Sequence, residues 1–339
     1  MAKNSKQSND REFFDTFFPG LVDDIVKENE NDKETGDAVR HMREVLEYNV
    51  PGGKRNRGLS VIGSLRHLVS PDKLTEEDAK TAIILGWCVE WLQAFFLVAD
   101  DIMDESLTRR GKPCWYKKAG VGNIAINDFL LIEATIYKLL RKHVHCKPYY
   151  VDVLDLFHET LDLITKPGNN FENFTVERYK AIVKFKTAFY SFYLPVALAM
   201  FMAGIKDIQS HENAKEILLT MGEFFQIQDD YLDCYGDPVV TGKVGTDIEE
   251  NKCSWLIVQT LQRISTEQMK ILKEHYGVKN SASSEKVKAL YHELNLKKVY
   301  HEHEEESYKR ILELISQKSA NLPKEMFLEF VKKIYKRDK

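Results

Sequence analysis

Two ten-residue stretches, FFLVADDIMD at residues 95–104 and FFQIQDDYLD at residues 224–233, share two phenylalanines followed after three residues by the motif DDxxD. Residues four positions apart lie on one face of a helix, so Asp100 would lie beside Asp104, and Asp229 beside Asp233. Each such pair of like charges weakens a helix by about 0.2–0.5 kcal/mol. A repeated repulsion of this kind predicts a paired metal site, and carboxylate oxygens suit Mg²⁺. The other interpretation, a solvated helix end, explains one motif better than two copies with the same aromatic prefix.

The residues around these two stretches favour helices. Apolar residues recur at intervals of three and four, as in Val151, Leu154, Phe157 and Leu161, and alternation typical of strands is scarce. The pattern predicts an all-α protein with central helices near residues 82–104, 175–203 and 214–235 that are apolar on nearly all sides. No Pro/Gly/Ser-rich linker divides the sequence, so we expect a single domain over residues 1–339.

Composition excludes several classes of protein. The net charge is −4, which indicates neither a nucleic-acid-binding surface nor a disordered acidic chain. The five cysteines are scattered and odd in number, which argues against a disulfide framework and a zinc site. Residues 1–10 are polar and do not resemble a secretory leader, and the sequence predicts no transmembrane segment. We therefore expect a cytoplasmic location.

Basic residues accompany both acidic motifs. The stretch PGGKRNRG at residues 51–58 places Lys54 and Arg57 one turn apart after a glycine turn, and Arg109 and Arg110 follow the first acidic motif. Guanidinium groups bind phosphate oxygens in pairs, whereas a lysine acts as a compact charge. Three further lysines lie near or after the second half of the expected site: Lys186, Lys243 and Lys252. The combination predicts a phosphate ligand that is bridged to the protein by metal.

Several of these motifs together resemble a known family. They are PGGKRNRG (51–58), residues 97–111, KTAFY (186–190), residues 224–233, TGKVGTD (241–247), NKCSW (251–255) and KIYKR (333–337). They cover nearly the whole chain and are similar to the short-chain trans-isoprenyl diphosphate synthases, with residues 98–111 particularly like the animal farnesyl diphosphate synthases. The resemblance implies an isoprenoid-synthase helical bundle of about ten core helices around a deep central cavity, usually in a homodimer. It also implies three Mg²⁺ ions per active site, with Mn²⁺ as a substitute.

The resemblance also assigns roles to residues. Asp100, Asp104 and Asp229 would bind the metal ions, while Asp233 and Asp247 would act through water. The allylic diphosphate would be held by Arg109, Lys186, Thr187, Gln226, Lys243 and Lys252. The diphosphate of isopentenyl diphosphate would be held, without metal, by Lys54, Arg57, Gln93 and Arg110.

The implied activity is prenyl transfer, with both dimethylallyltranstransferase and geranyltranstransferase steps. An allylic carbon–oxygen bond breaks, so cations must stabilise the departing diphosphate. By resemblance, the backbone carbonyls of Lys186 and Thr187, together with Tyr190 and Gln226, stabilise the carbocation that the alkene of isopentenyl diphosphate then attacks. Phe95 and Phe96 precede Asp100 by about one helical turn and are expected to limit the product to fifteen carbons.

The sequence departs from the family pattern at one place. Between Thr160 and Leu161 it is about nine residues shorter, which would turn the following helix by about half a revolution and draw it in by about 13 Å. Two alternatives to the synthase therefore remain open: a catalytically impaired homologue acting as a scaffold or heterodimer partner, and a terpene synthase (lyase) of the same fold. The intact residues for isopentenyl diphosphate disfavour the lyase. Asp338 is a further departure, since the tail of relatives is more basic.

Overall fold

The computed structural model describes residues 10–27, 36–160, 170–241 and 245–335. Residues 10–16 are helical. The helices that follow are α1 (Phe18–Val26), α2 (Gly36–Asn49), α3 (Asn56–Leu68), α4 (Glu76–Met103), α5 (Ile124–Val144), α6 (Tyr150–Glu159), α7 (Val176–Val183), a π-helix (Lys184–Tyr193), α8 (Leu194–Met202), α9 (Ile208–Tyr235), α10 (Pro238–Thr241), α11 (Trp255–Leu261), α12 (Thr266–His275), α13 (Ser281–Glu293), α14 (Leu296–Lys318) and α15 (Lys324–Ile334). Short 3₁₀ turns lie at Trp115–Lys117 and Phe171–Asn173.

Strands are minimal in the described ranges. Two antiparallel strands of two residues each, β1 (Thr108–Arg109) and β2 (Lys112–Pro113), form a small hairpin directly after the first acidic motif. Thr108 pairs with Pro113, and Arg109 pairs with Lys112. The prediction of an all-α protein is confirmed.

The chain forms two compact units. The first consists of Met1–Glu159 and Leu194–Asp207, and the second of Thr160–Tyr193 and Ile208–Lys339. The single-domain expectation and the expected deep central cavity stay predictions.

The first unit is organised around α4, which is 28 residues long. The helix begins with a capping box, in which Thr75 Oγ1 accepts a hydrogen bond from Asp78 N (3.1 Å) and Asp78 Oδ2 accepts one from Thr75 N (3.3 Å). Its middle section is buried on nearly all sides and includes Trp87, which stacks on Phe14 with ring centroids 4.6 Å apart. The prediction of a core helix near residues 82–104 is confirmed.

Helices α3 and α4 touch backbone to backbone where two glycines meet. A Cβ atom added to Gly86 would lie 2.4 Å from the carbonyl oxygen of Gly58, and one added to Gly58 would lie 2.7 Å from the carbonyl oxygen of Gly86. Distances this short leave no room for any side chain. The close contact fixes the position of α4 along α3, and with it the position of the acidic C-terminal end of α4 relative to α3.

The second unit is organised around α9, also 28 residues long, which packs against the π-helix. A Cβ atom added to Gly222 of α9 would lie 2.4 Å from Cβ of Ala188, so these two elements also approach closely. Helices were predicted near residues 175–203 and 214–235 and are present, but the first is interrupted by ten residues of π-helix. Such segments are rare and occur often at functional sites.

Two helical stretches pass a length and composition test for membrane spans. They are Glu76–Met103 and Val176–Met202. In their most apolar windows, 72% and 78% of the residues are buried within the protein, as is usual for core helices. The described residues therefore contain no clear transmembrane segment.

Candidate active site

The first acidic motif lies at the C-terminal end of α4. Asp100 is half-buried in the last turn, and Asp104 is the C-cap residue, whose backbone N–H donates to the carbonyl oxygen of Asp100. The C-terminal end of a helix carries a partial negative charge. The last turn of α4 contains no basic residue.

The second acidic motif has the same position in its own unit. Asp229 and Asp233 are half-buried in the last two turns of α9, and the last turn of α9 also contains no basic residue. Both motifs thus add negative charge near the negative end of a long helix. This arrangement is locally unfavourable and fits a bound cation at each end.

The middle aspartate of each motif points into the protein instead. Asp101 is 3% exposed and Asp230 is 5% exposed, whereas the outer aspartates are half-buried. Neither middle aspartate has a role that follows from the sequence motif alone. Their position in the motif does indicate a different direction, because a residue one position after Asp100 or Asp229 lies about 100° around the helix from the face that the outer aspartates share.

Asp101 forms hydrogen bonds with one of the residues that are predicted to bind phosphate. Arg109, at the end of β1, donates from Nε to Asp101 Oδ1 over 3.0 Å. Burial by itself lowers the pKa of Arg109, but the hydrogen bond and negative charge of Asp101 outweigh it and raise the pKa above its usual value. Arg109 is therefore a fixed, permanently charged guanidinium beside the first acidic motif.

Arg110 turns back over the glycine turn at residues 51–53. Its Nη1 donates to the carbonyl oxygen of Pro51 over 3.0 Å, and a Cβ atom at Gly52 would lie 2.8 Å from the same nitrogen. Gly52 also has φ +116°, which favours glycine. The turn is therefore shaped to receive the Arg110 side chain.

Several positive charges surround Arg110. Burial lowers the pKa of Arg110, and the nearby charges of Arg55, Arg109 and Arg57 lower it further, while Glu90 opposes this effect. A group of guanidinium charges that repel one another favours a bound anion. A cavity of about 190 Å³ within the first unit is lined partly by Gly52, Gly53, Asp101, Arg109 and Arg110.

The other predicted ligands of isopentenyl diphosphate also belong to this unit. Lys54 is exposed in the turn before α3, Arg57 is half-buried in the first turn of α3, and Gln93 is half-buried on α4. Gln93 precedes Asp100 by seven residues, or about two turns, so it lies on the same side of α4 as the paired aspartates.

The second unit brings four of the predicted residues together on the π-helix and α9. Lys186 is half-buried, and Thr187 and Tyr190 are buried, all on the π-helix. Thr187 Oγ1 donates to Gln226 Oε1 over 2.6 Å. Gln226 Nε2 in turn donates to Asp230 Oδ1 over 2.8 Å. The prediction that these residues belong to one site thus has a direct hydrogen-bonded link between Thr187 and Gln226.

The loop after α9 is attached to the end of the second acidic motif. Asp233 Oδ2 accepts a hydrogen bond from the backbone N–H of Asp247 over 3.0 Å, and a Cβ atom at Gly245 would overlap the Asp233 carbonyl. Lys252 Nζ lies 3.5 Å from Asp247 Oδ1 and 2.6 Å from Glu250 Oε2. Lys243, also predicted to bind phosphate, lies outside the described residues.

The donor set fits Mg²⁺ bound together with a substrate. Within the described ranges, no three His, Cys, Asp or Glu side chains form a group able to hold a metal ion by themselves. Mg²⁺ keeps several waters and is usually bound by one or two carboxylates plus phosphate oxygens. Each pair of half-buried aspartates, at the end of α4 in the first unit and at the end of α9 in the second, supplies that kind of partial ligand set by itself.

The two phenylalanines before the first motif are fixed by aromatic contacts. Phe95 lies 5.1 Å from Phe96 and 5.6 Å from Phe129 of α5, measured between ring centroids. Both residues are half-buried. Phe96 lies one turn before Asp100 and so on the same face of α4.

Comparisons with known proteins agree with these observations. The polyprenyl synthetase family profile matches residues 39–294. The farnesyl pyrophosphate synthase of Gallus gallus is 54% identical over 341 positions, covering 97% of this chain and 93% of that protein. The farnesyl pyrophosphate synthase of Homo sapiens is 54% identical over 355 positions, covering 100% of this chain and 85% of that protein. Because 355 positions exceed the 339 residues of this chain, the human protein has residues that this chain lacks.

Solved structures give the same result for the fold. The Trypanosoma brucei farnesyl diphosphate synthase complexed with homorisedronate superposes with a TM-score of 0.86 at 33% identity, covering 97% of this chain and 100% of that one. A crystal structure of the same enzyme gives a TM-score of 0.87 at 32% identity, covering 97% and 99%. The fold is therefore the all-α isoprenoid-synthase fold, and the chain belongs to the polyprenyl synthetase family.

Proposed function

We propose that the chain is a farnesyl diphosphate synthase, which joins isopentenyl diphosphate head to tail with dimethylallyl or geranyl diphosphate. The observation that carries this proposal is the repeated arrangement at the ends of α4 and α9. In both places an outer pair of half-buried aspartates lies near the C-terminal end of a 28-residue helix, and the aspartate between them is buried. Full-length similarity to animal farnesyl pyrophosphate synthases supports the same function.

The aspartates and basic residues divide the binding of the allylic diphosphate. Asp100, Asp104 and Asp229 would hold Mg²⁺, with three ions as the expected number, and Asp233 and Asp247 would assist from further out. When bound, Mg²⁺ neutralises the diphosphate and stabilises the charge that develops on it as the allylic carbon–oxygen bond breaks. By resemblance, Arg109, Lys186, Lys243 and Lys252 would add positive charge around the same group. Arg109 is the best defined of these, because Asp101 fixes it.

The second substrate needs only basic and amide groups. Lys54, Arg57, Gln93 and Arg110 would hold the diphosphate of isopentenyl diphosphate. The positive charges of Arg55, Arg57 and Arg109 that act on Arg110 support this assignment, since an anion bound beside Arg110 would offset them.

The carbocation would be stabilised by dipoles of the second unit. The proposed groups are the backbone carbonyls of Lys186 and Thr187, the Tyr190 ring and the Gln226 amide oxygen. Thr187 and Tyr190 are buried, and fixed dipoles in a dry environment act more strongly than they would in water. The alkene of isopentenyl diphosphate then attacks the cation, and the released diphosphate is the expected base for the final proton.

The proposed reaction can be tested directly on the purified chain. Geranyl diphosphate and labelled isopentenyl diphosphate are incubated with the protein and Mg²⁺, with and without a chelator, and the product is identified by mass. We expect farnesyl diphosphate only when the metal is present. A folded protein that gives no condensation product would contradict the proposal and favour an impaired homologue, for which the segment after Thr160, outside the described residues, is the first place to examine.

Product length provides a separate prediction. Replacing both Phe95 and Phe96 with alanine should shift the product from fifteen carbons to longer chains, because the Phe96 ring on the face of Asp100 and the Phe95 ring packed beside it are both removed. Mass spectrometry of the products from labelled isopentenyl diphosphate measures this shift. As a control, Phe129→Ala removes the ring that supports Phe95 and should shift product length less. A double variant that still makes only the fifteen-carbon product would contradict the assignment.

We also propose a homodimer that forms through α5. On this helix Ile126 is 48% exposed and Leu130 is 52% exposed, one turn apart on the same side. Exposed apolar residues at that spacing suit contact with another helix. Sedimentation velocity should give twice the 39.3 kDa mass of the chain. We place the enzyme in the cytoplasm as a further proposal, which imaging of the tagged protein would test.

A further inference from the structure

The buried carboxylate of the second acidic motif is hydrogen-bonded to one of the residues proposed to face the carbocation. Asp230 accepts hydrogen bonds from three donors in the second unit. The backbone N–H of Trp255 and the hydroxyl of Tyr179 donate to Oδ2 over 2.7 and 2.9 Å, and Gln226 Nε2 donates to Oδ1 over 2.8 Å. Asp229 and Asp233 of the same motif have proposed roles, but Tyr179 and Asp230 have none.

These contacts decide which way the Gln226 amide faces. The two ends of a glutamine amide have nearly the same shape, so their orientation follows from the hydrogen-bond partners. If the amide were reversed, its oxygen would lie at hydrogen-bonding distance from Asp230 Oδ1, where a donor is needed. In the observed orientation Nε2 faces Asp230, and Oε1 faces the hydroxyl of Thr187.

The orientation of this amide matters for the proposed reaction. An amide oxygen is the negative end of the dipole and stabilises a nearby cation, whereas the N–H end opposes it. A dipole that is fixed before the reaction stabilises the transition state without the cost of reorientation. Whatever holds Asp230 in place therefore determines which end of the Gln226 dipole the cation meets.

Tyr179 is the side chain that holds Asp230. It is 3% exposed on α7, and burial together with the charge of Asp230 raises the pKa of Tyr179, so its hydroxyl remains a proton donor. The Trp255 donor belongs to the backbone and is independent of side-chain identity. Gln226 is the group to be oriented, so Tyr179 is the remaining side-chain donor among the three.

We propose that Tyr179 is a positioning residue that acts through Asp230 to keep the Gln226 amide oxygen directed toward Thr187 and the developing allylic cation. This inference rests on the proposed function. It predicts that Tyr179 affects the chemical step and has little effect on the binding of either diphosphate or of Mg²⁺.

The test compares Tyr179→Phe with the matched change Tyr291→Phe. Tyr291 is also buried in the second unit, at 1% exposure, and its hydroxyl has no hydrogen-bond partner among the described residues. We expect kcat for farnesyl diphosphate formation to fall about tenfold in Tyr179→Phe, at the low end of the range for partners that act through another residue. The KM values of both substrates and the Mg²⁺ concentration for half-maximal rate should change less than about twofold. Tyr291→Phe should retain the wild-type kcat.

A second readout follows the cation itself. An ammonium analogue of the allylic cation, bound together with inorganic diphosphate, should bind Tyr179→Phe about tenfold more weakly than wild type, while geranyl diphosphate binding is unchanged. If Tyr179→Phe does not fold, Asp230→Asn serves the same purpose, because its side-chain amide can accept or donate and so allows Gln226 to reverse. In Asp230→Asn the affinity for the ammonium analogue, relative to the affinity for geranyl diphosphate, should then fall as it should in Tyr179→Phe.

The outcomes separate this inference from the proposed function. A wild-type chain that makes no farnesyl diphosphate would contradict the proposed function. An active wild type whose Tyr179→Phe variant matches Tyr291→Phe would overturn the positioning role alone. A variant in which the Mg²⁺ requirement rises along with the loss of kcat would also overturn it, since Tyr179 would then support Asp229 and the metal.

Discussion

Replacing Asp229 with asparagine should lower kcat for farnesyl diphosphate formation by about a hundred- to a thousandfold, the effect typical of losing one transition-state-stabilising group. Asparagine keeps the size of the side chain and removes the negative charge that would hold Mg²⁺. The same change should leave the thermal midpoint of the metal-free protein unchanged or slightly higher. Asp229 and Asp233 repel each other on α9, and relief of such a pair stabilises a helix by about 0.2–0.5 kcal/mol.

A control on the same helix separates charge from position. Glu212 is exposed in the N-terminal part of α9 and has Glu216 four residues later on the same face, so it belongs to a like-charge pair that lies away from the acidic motif. Glu212→Gln should therefore keep full activity and raise the thermal midpoint no more than Asp229→Asn does. Steady-state rates with geranyl diphosphate, together with thermal melts in the presence of a chelator, measure both effects. Full activity in Asp229→Asn would mean that this carboxylate does not bind the catalytic metal.

The sequence was sufficient to predict the parts of the site that depend on local spacing. The i, i+4 pairs at the ends of α4 and α9 follow from the motif alone, and the apolar character of these helices places them in the core. The basic residues at 54, 57, 109 and 110 could be identified for the same reason, because each lies within a few residues of a recognisable turn or motif.

Contacts between distant residues could not be predicted in this way. Tyr179 and Asp230 are 51 residues apart in sequence, and nothing about either residue alone indicates a hydrogen bond between them. The π-helix at Lys184–Tyr193 has an ordinary helical composition, and the close approach of Gly222 to Ala188 is a tertiary feature. Thr187 could be assigned by resemblance, but its bond to Gln226 required the structure.

The crossing of α3 and α4 is another contact between residues that are distant in sequence. At this crossing, Gly86→Ala should lower the free energy of unfolding by about 3 kcal/mol, the upper end of the usual cost of overpacking. The new methyl group would lie 2.4 Å from the Gly58 carbonyl oxygen and 3.0 Å from a ring carbon of Phe14. A carbonyl within a helix cannot move without disturbing the backbone hydrogen bonds of its own turn, so the two helices must separate. Urea melts followed by circular dichroism measure the loss.

Gly63→Ala provides the matched control, because Gly63 lies on α3 with no atom within 4 Å of an added Cβ. There the same substitution should stabilise the protein by about 0.5–1 kcal/mol through the higher helix propensity of alanine. Opposite signs for the two variants would show that the contact between the backbones, rather than helix propensity, sets the requirement for glycine at position 86. Equal effects would contradict the close approach of α3 and α4. Since α4 carries Asp100 and Asp104 at its far end, separation of these helices should also lower activity at temperatures where Gly86→Ala is still folded.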